Sequence, residues 1–357
     1  MTDALKLWVY FGDTQLTGAE LTSDALMDSV ARHQVAASAL CRGTEGFGLG
    51  RRIQTERFPD VSADLPLVAC AVDSRERILA LLADVDRVVG DGLVTLEHAR
   101  LATGAHLAEA RFPQGPGRAA KLTIYCGRSE RAAAGRRPAY REAVEILRRQ
   151  GAAGATVLLG VDGTYRGRRR RASFLSPRRE APLMIISVGR RETLAAALPE
   201  LSEALEWPLA TLESIAQLKH DGEQLEELPV PPVPDRPGPA VWQTIRVYTR
   251  RSAQVNGRAL FTELTRRLRE AGAAGVTTVP GHWGFSSDER PHGDRFARLA
   301  SHAPTYTTYI DRPAKVAEVW PVIDEVTAEH GIVTSLFVPA YRERRGERVT
   351  GGLRLAE

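Results

Sequence analysis

Cys41-Arg42-Gly43-Thr44-Glu45-Gly46-Phe47-Gly48 stands between an apolar run and a polar loop. Glycine accepts positive φ and lets another backbone come close, so three glycines in six positions mark a shaped loop. The spacing is that of neither a P-loop nor a dinucleotide fingerprint. The layout recurs. Leu159-Gly160-Val161-Asp162-Gly163-Thr164-Tyr165 repeats it, and Pro280-Gly281-His282-Trp283-Gly284-Phe285-Ser286 repeats it again. Each copy follows an Ala/Gly-rich strand-like run and precedes a charged loop ending at a proline, Pro66, Pro182 or Pro304. The chain reads as three versions of one unit.

Working outward from the first copy, residues 5–11 and 35–40 are apolar and strand-like. Residues 21–32 carry Leu21, Ala25, Leu26, Ser29 and Val30 at helical spacing. Residues 65–72 give a third strand, with Pro66 near its start, where a missing N–H is tolerable. A second amphipathic helix spans 75–89, with Ile78, Leu81, Leu82, Val85 and Val89 on one side. Gly90-Asp91-Gly92 stops it, and 93–101 is the last strand. The order βαββαβ is that of a ferredoxin-like α+β unit.

The order returns in residues 119–219 and 240–342. Tyr10, Tyr125 and Tyr248 take corresponding places, 115 and 123 residues apart. The expected division is therefore 1–103, 119–219 and 240–342. A linker covers 104–118, a proline-rich acidic linker covers 220–239, and a polar tail covers 343–357. A linker of about 15 residues spans at most about 50 Å, enough to join neighbouring domains. One chain is thus expected to build a whole pseudo-trimer, each unit burying a sheet face against the next.

Composition, with 43% hydrophobic and 26% charged residues, fits a globular chain. No apolar run reaches membrane-spanning length and no signal-peptide layout opens the chain, so a cytoplasmic, non-embedded protein is expected. Cys41, Cys70 and Cys126 lie in apolar runs and read as buried thiols. Charge is uneven. Residues 1–103 hold 10 basic and 15 acidic side chains, 119–219 hold 18 and 10, and 240–357 hold 17 and 13. An anion-attracting field should centre on the middle unit.

The runs LKLWVYFG, RGTEGFGLGRRI, DLPLVACAVD and LVTLEHARL of the first unit resemble the PII-like family known as domain of unknown function 190. AKLTIYCG, GAAGATVLLGVDG and APLMIISVG, then IRVYTR and GAAGVTTVPGHWGF, resemble it more loosely. In those two copies Thr164-Tyr165 stands for Phe-Gly, and Ser286 follows Phe285. The resemblance implies three ferredoxin-like domains around a threefold axis, with regulatory ligands in the clefts between neighbours. It implies an adenine nucleotide or small anionic metabolite as ligand, and signalling through the loop between strands two and three. Genes of the family often lie beside fluoride-channel genes, which implies a channel or transporter as protein partner.

Three constellations are candidates for function. Gly43, Thr44, Glu45, Gly46, Phe47 and Gly48 with Arg51 and Arg52 offer backbone N–H groups and guanidiniums to a phosphate or carboxylate. A tight turn with solvated arginines is the competing account. Gly160, Gly163, Gly281 and Gly284 repeat the pattern, and Gly90 and Gly92 add a second loop that helix capping explains equally well. Arg166, Arg168, Arg169, Arg170 and Arg171, with Arg178 and Arg179 beyond, form the second candidate. It suits an acidic protein or a membrane surface, or else a solvated loop; with Tyr165 and Phe174 as the only nearby aromatics, nucleic acid is not expected. The third, His282, Asp288, His292, Asp294 and His302, has no recognised metal spacing and reads as exposed loop.

No nucleophile elbow, catalytic carboxylate pair or catalytic Cys/His set stands out, so no catalytic residue and no cofactor are assigned. The expected function is a non-catalytic regulator whose loops 43–64, 160–181 and 281–303 order around a ligand. A scaffold or adaptor binding an acidic protein, or less readily nucleic acid, through the arginine-rich loop of the second unit, without a small ligand, is the alternative.

Overall fold

The computed structural model describes residues 2–48, 52–56, 64–115, 117–135, 137–171, 181–231, 241–286, 291–293 and 303–355. Unit 1 runs β1 (Thr2–Gly12), α1 (Thr22–Arg32), β2 (Ala37–Arg42), a short β3 (Glu45–Phe47), β4 (Pro66–Ser74), α2 (Arg75–Val88) and β5 (Gly92–Thr103). Unit 2 runs β6 (Ala119–Gly127), α3 (Ala139–Arg149), β7 (Gly154–Leu159), a short β8 (Thr164–Tyr165), β9 (Pro182–Arg190), α4 (Arg191–Ala204) and β10 (Leu209–His220). Unit 3 runs β11 (Trp242–Arg250), α5 (Leu260–Glu270), β12 (Val276–Pro280), a short β13 (Trp283–Ser286), β14 (Pro304–Asp311), α6 (Pro313–Val326) and β15 (Ile332–Val338). A hairpin, β16 (Ala340–Arg345) and β17 (Arg348–Gly352), follows.

Each unit supplies an antiparallel four-stranded section of one continuous sheet. In unit 1, β1 lies between β5 and β4, and β2 flanks β4. Unit 2 repeats the order as β10, β6, β9, β7. Unit 3 repeats it as β15, β11, β14, β12.

The central strands read as continuous apolar runs because both of their faces are buried. On β1, Leu5, Leu7, Val9 and Phe11 pack beneath α1 and α2. The alternate residues Ala4, Trp8 and Tyr10 enter a core shared with Tyr125, Trp242, Tyr248, Tyr306 and Tyr341. A strand residue points to the face opposite its neighbour's, so a single run supplies both cores. Helix starts and stops follow local chemistry. The Ser74 side chain accepts from Arg77 N at 3.4 Å, and Pro313 sits in the first turn of α6. Positive φ just past the helices falls on Gln34, Gly151 and Gly272 at corresponding places.

Three sequence expectations change. The segment 343–357 is not a bare tail. β16 adds to the edge of β5, pairing Ala340 with Leu96 and Arg344 with Gly92. An open edge of N–H and C=O groups draws such a strand. The segment 104–118 is more than a linker, because Leu107, Ala110 and Phe112 are buried in the core under α3 and α4. Glu223 and Gln224 double back on β10 at the start of the second linker, and its stretch 232–240 lies outside the described residues. Cys41, Cys70 and Cys126 are buried free thiols. Among the described residues no helix is long and apolar enough to cross a membrane.

Candidate ligand cleft

The three glycine loops reach onto neighbouring units. β3 of unit 1 pairs with β12 of unit 3, β8 of unit 2 with β2 of unit 1, and β13 of unit 3 with β7 of unit 2. Registers correspond across the seams. Gly46 faces Thr277, Gly284 faces Thr156, and Tyr165, two residues past Gly163, faces Ala37.

Close approach explains most of the glycines. A Cβ at Gly46 would sit 2.5 Å from Val276 O, at Gly163 2.2 Å from Ser38 O, and at Gly284 2.1 Å from Ala155 O. At Gly43 and Gly160 it would sit 2.7 and 2.8 Å from Cγ of Pro66 and Pro182, and at Gly281 2.5 Å from Pro304 O. No side chain fits against a neighbouring backbone at such distances. Thr44, Glu45 and Phe47 belong to the same seam. Thr44 N donates to Thr278 O at 2.9 Å, the Thr262 hydroxyl donates to Glu45 Oε2 at 3.1 Å, and Phe47 packs into the core of unit 3. Arg51 lies outside the described residues.

Gly48 is different. Among the described residues a Cβ there would meet nothing within 4 Å, while a Cβ on Gly275 opposite would lie 3.4 Å from Gly48 Cα. Two facing glycines thus leave a mouth between units 1 and 3, and a cavity of about 420 Å³ opens behind it. Phe11, Phe47, Leu93, Val276, Ile310 and the Tyr10 and Tyr341 rings give apolar walls. Arg52, Arg344 and Arg345 bring cations, and Asp64, Asp91 and Glu343 bring acids. Two of the acids are already engaged. Asp64 accepts from Thr14 N and Oγ1 at 3.1 and 3.0 Å, and Asp91 accepts from Gly346 N at 2.6 Å. Burial pushes the Glu343 carboxyl up, and Arg344 lies 3.7 Å from Asp86 and donates to Asp86 O at 3.2 Å. Gly46, Phe47, Gly48, Arg52 and Gly92 of the sequence candidates line this cavity. Gly92, at φ +140° with Tyr10 O at 2.5 Å from a Cβ there, is also where β5 meets β1; Gly90 does not line the cavity, though a Cβ there would lie 4.0 Å from Nε2 of Gln15, which does.

The corresponding places at the other two seams are filled. Tyr165 stands where unit 1 has Gly48, is buried, and donates its hydroxyl to Trp207 O at 3.2 Å. The Arg166 guanidinium lies 4.9 Å from the Tyr165 ring and 5.8 Å from the Trp207 ring. Between units 3 and 2, Ile332 Cδ1 comes 2.8 Å from a Cβ on Gly154, and the space left by Tyr248, Phe285 and Ile332 is about 10 Å³. That is room for about one water molecule.

The arginine-rich run is largely committed within the molecule. Arg169 bonds Asp162 through Nη2 at 2.5 Å and also pairs with Asp28, and Arg171 reaches Asp24 at 2.8 Å. Asp24 and Asp28 belong to α1 of unit 1, so the run clamps unit 2 to an acidic neighbour. Arg166 lies 3.8 Å from Glu130, Arg168 is exposed, and Arg170 N donates to Gly163 O at 2.7 Å. Arg178 and Arg179 lie outside the described residues. So do Asp288, Asp294, His302 and the side chain of His292, while the His282 ring sits 6.1 Å from the Tyr140 ring.

Sequence reading missed Tyr341, Glu343, Arg344 and Arg345, which form one wall of the cavity. A signal was present. Ala340–Arg345, Gly346 at φ +55° and Arg348–Gly352 have the strand–turn–strand layout of a hairpin.

The fold and seams define a protein of three repeated α+β domains with a shared core and an open cleft between the first and third. The family model DUF190, described as an uncharacterized ACR, matches residues 4–101, 119–217 and 242–339. The chain belongs to this family, as three tandem copies of its domain.

Proposed function

We propose that the chain is a non-catalytic, PII-like cytoplasmic regulator that holds an adenine nucleotide or small anionic metabolite between units 1 and 3. Its three units are ferredoxin-like and close as an intramolecular pseudo-trimer. The strand order 4-1-3-2 in every unit and the cyclic exchange of loop strands support that architecture. One observation carries the ligand reading: the 420 Å³ cleft, with apolar walls and three arginines, behind Gly48. Its volume falls within the range of small-molecule sites, about 300–1,000 Å³, and its mix of apolar walls and few charges suits an anion bearing a ring.

Signalling follows from position. β3 and Arg52 sit on the loop 43–64 and line the cleft, so a bound ligand favours one arrangement of that loop over others. A channel or transporter that reads the loop is the partner this reading implies. The rival reading, a scaffold acting through the arginine-rich loop, has less support because Arg169 and Arg171 are held by unit 1 acids.

Calorimetry with ATP, ADP, AMP and cyclic AMP tests the ligand class. At least one should bind with micromolar or tighter affinity, corresponding to about −8 kcal/mol or better. Silence across the panel removes the nucleotide.

A further inference from the structure

We propose that this chain binds one ligand rather than three, and that two of its three clefts have become structural braces. The inference rests on the ligand reading above but concerns which seam is open.

Corresponding positions differ at each seam in a way that decides access. Gly48 faces Gly275 at the open seam, Tyr165 faces Ala37 at the second, and Ser286 faces Gly154 at the third. The Tyr165 side chain enters the space that Gly48 leaves empty, and Trp207 and Arg166 cover it. At the third seam Ile332 fills the space against Gly154. The hairpin strand Ala340–Arg345 sets the open seam apart further, because Arg344 and Arg345 come from beyond the last family segment, which ends at 339. With Arg52 they give the cleft its cationic end.

The class of ligand is therefore a ring system carrying a negative group, one per chain. The dye 8-anilinonaphthalene-1-sulfonate, an aromatic sulfonate, probes this without assuming the natural ligand. Native mass spectrometry and fluorescence titration should give one dye per chain. Gly48→Tyr should abolish binding, since it places in unit 1 the side chain that closes the second seam. Gly48 has no φ in the left-handed region, and no described residue comes within 4 Å of its Cβ position, so the variant should fold, and circular dichroism checks this. Arg52→Glu offers a second variant and should weaken the dye at least about tenfold, because it removes a cation and places an anion beside the sulfonate.

Two or three dyes per chain, or none, would overturn the inference. So would one dye that survives Gly48→Tyr in folded protein, or that is indifferent to Arg52→Glu. One dye per chain with silence from the nucleotides supports the single cleft while removing the nucleotide reading, so the two fail separately.

Discussion

Glu97 sits at the centre of a buried chain of charges that ties all three units. Lys6 of unit 1 lies 2.7 Å from Glu213 of unit 2, and Lys121 of unit 2 lies 2.8 Å from Glu213 and 3.3 Å from Glu97. Arg246 of unit 3 pairs with Glu97 and donates from Nε to the Tyr306 hydroxyl at 2.6 Å. All five charged groups are essentially closed to solvent. Burial pushes the Glu97 carboxyl up, but Arg246, Lys121 and Lys6 together outweigh it and hold it well below the ordinary carboxylate range. Removing one partner leaves the others buried and uncompensated, so Glu97→Gln should cost about 3–5 kcal/mol in urea unfolding. A depressed carboxyl stabilises fully above its unfolded value, about 4.3, and less as pH falls toward the folded one. Urea midpoints measured from pH 5 downward should therefore fall more steeply for the natural chain than for Glu97→Gln. Parallel curves would show that Glu97 does not carry this pH dependence.

Among the elements, the terminal hairpin has the most consequence. Tyr341 stacks on Trp242, with ring centroids 3.6 Å apart and planes 12° from parallel. Arg342 anchors the same strand to unit 1, pairing with Asp86 and donating from Nη2 to Val89 O at 3.4 Å. Truncating a buried aromatic leaves a cavity, so Tyr341→Ala should lose about 3 kcal/mol or more. It should also weaken whatever occupies the neighbouring cleft. A variant that loses stability in urea while binding the sulfonate dye unchanged would show that the hairpin is a brace and not a wall.

For the whole molecule, a core shared between units means that no unit is finished alone. Trp8, Tyr125, Trp242 and Tyr341 meet within one cluster. Charge follows the same logic: the acidic excess of unit 1 faces the arginine-rich loop of unit 2 through Asp24 and Asp28. The uneven distribution thus holds domains together and does not simply mark an outward-facing basic surface. Light scattering should give the mass of one chain, and thermal unfolding should follow one cooperative transition. A trimer of chains, or three separate transitions, would contradict the closed arrangement.

The repeat, the order of its strands and helices and the buried faces were legible from residues alone. Continuous apolar runs, helical spacing and glycine–proline punctuation are local signals, and Leu5 with Trp8 or Leu122 with Tyr125, on opposite faces of their strands, carry them whatever lies across the seam. Gly43, Gly46 and Gly48 looked alike in the chain, yet two of them accommodate a proline or a neighbouring backbone and one faces open space. That difference rests on the partners across the seam, Gly275 for Gly48, Ala37 for Tyr165 and Gly154 for Ser286, which folding alone brings together. Whether a cleft is open depends on the volume left between two distant side chains, and volume between strands is a property of the packed molecule that no stretch of sequence contains.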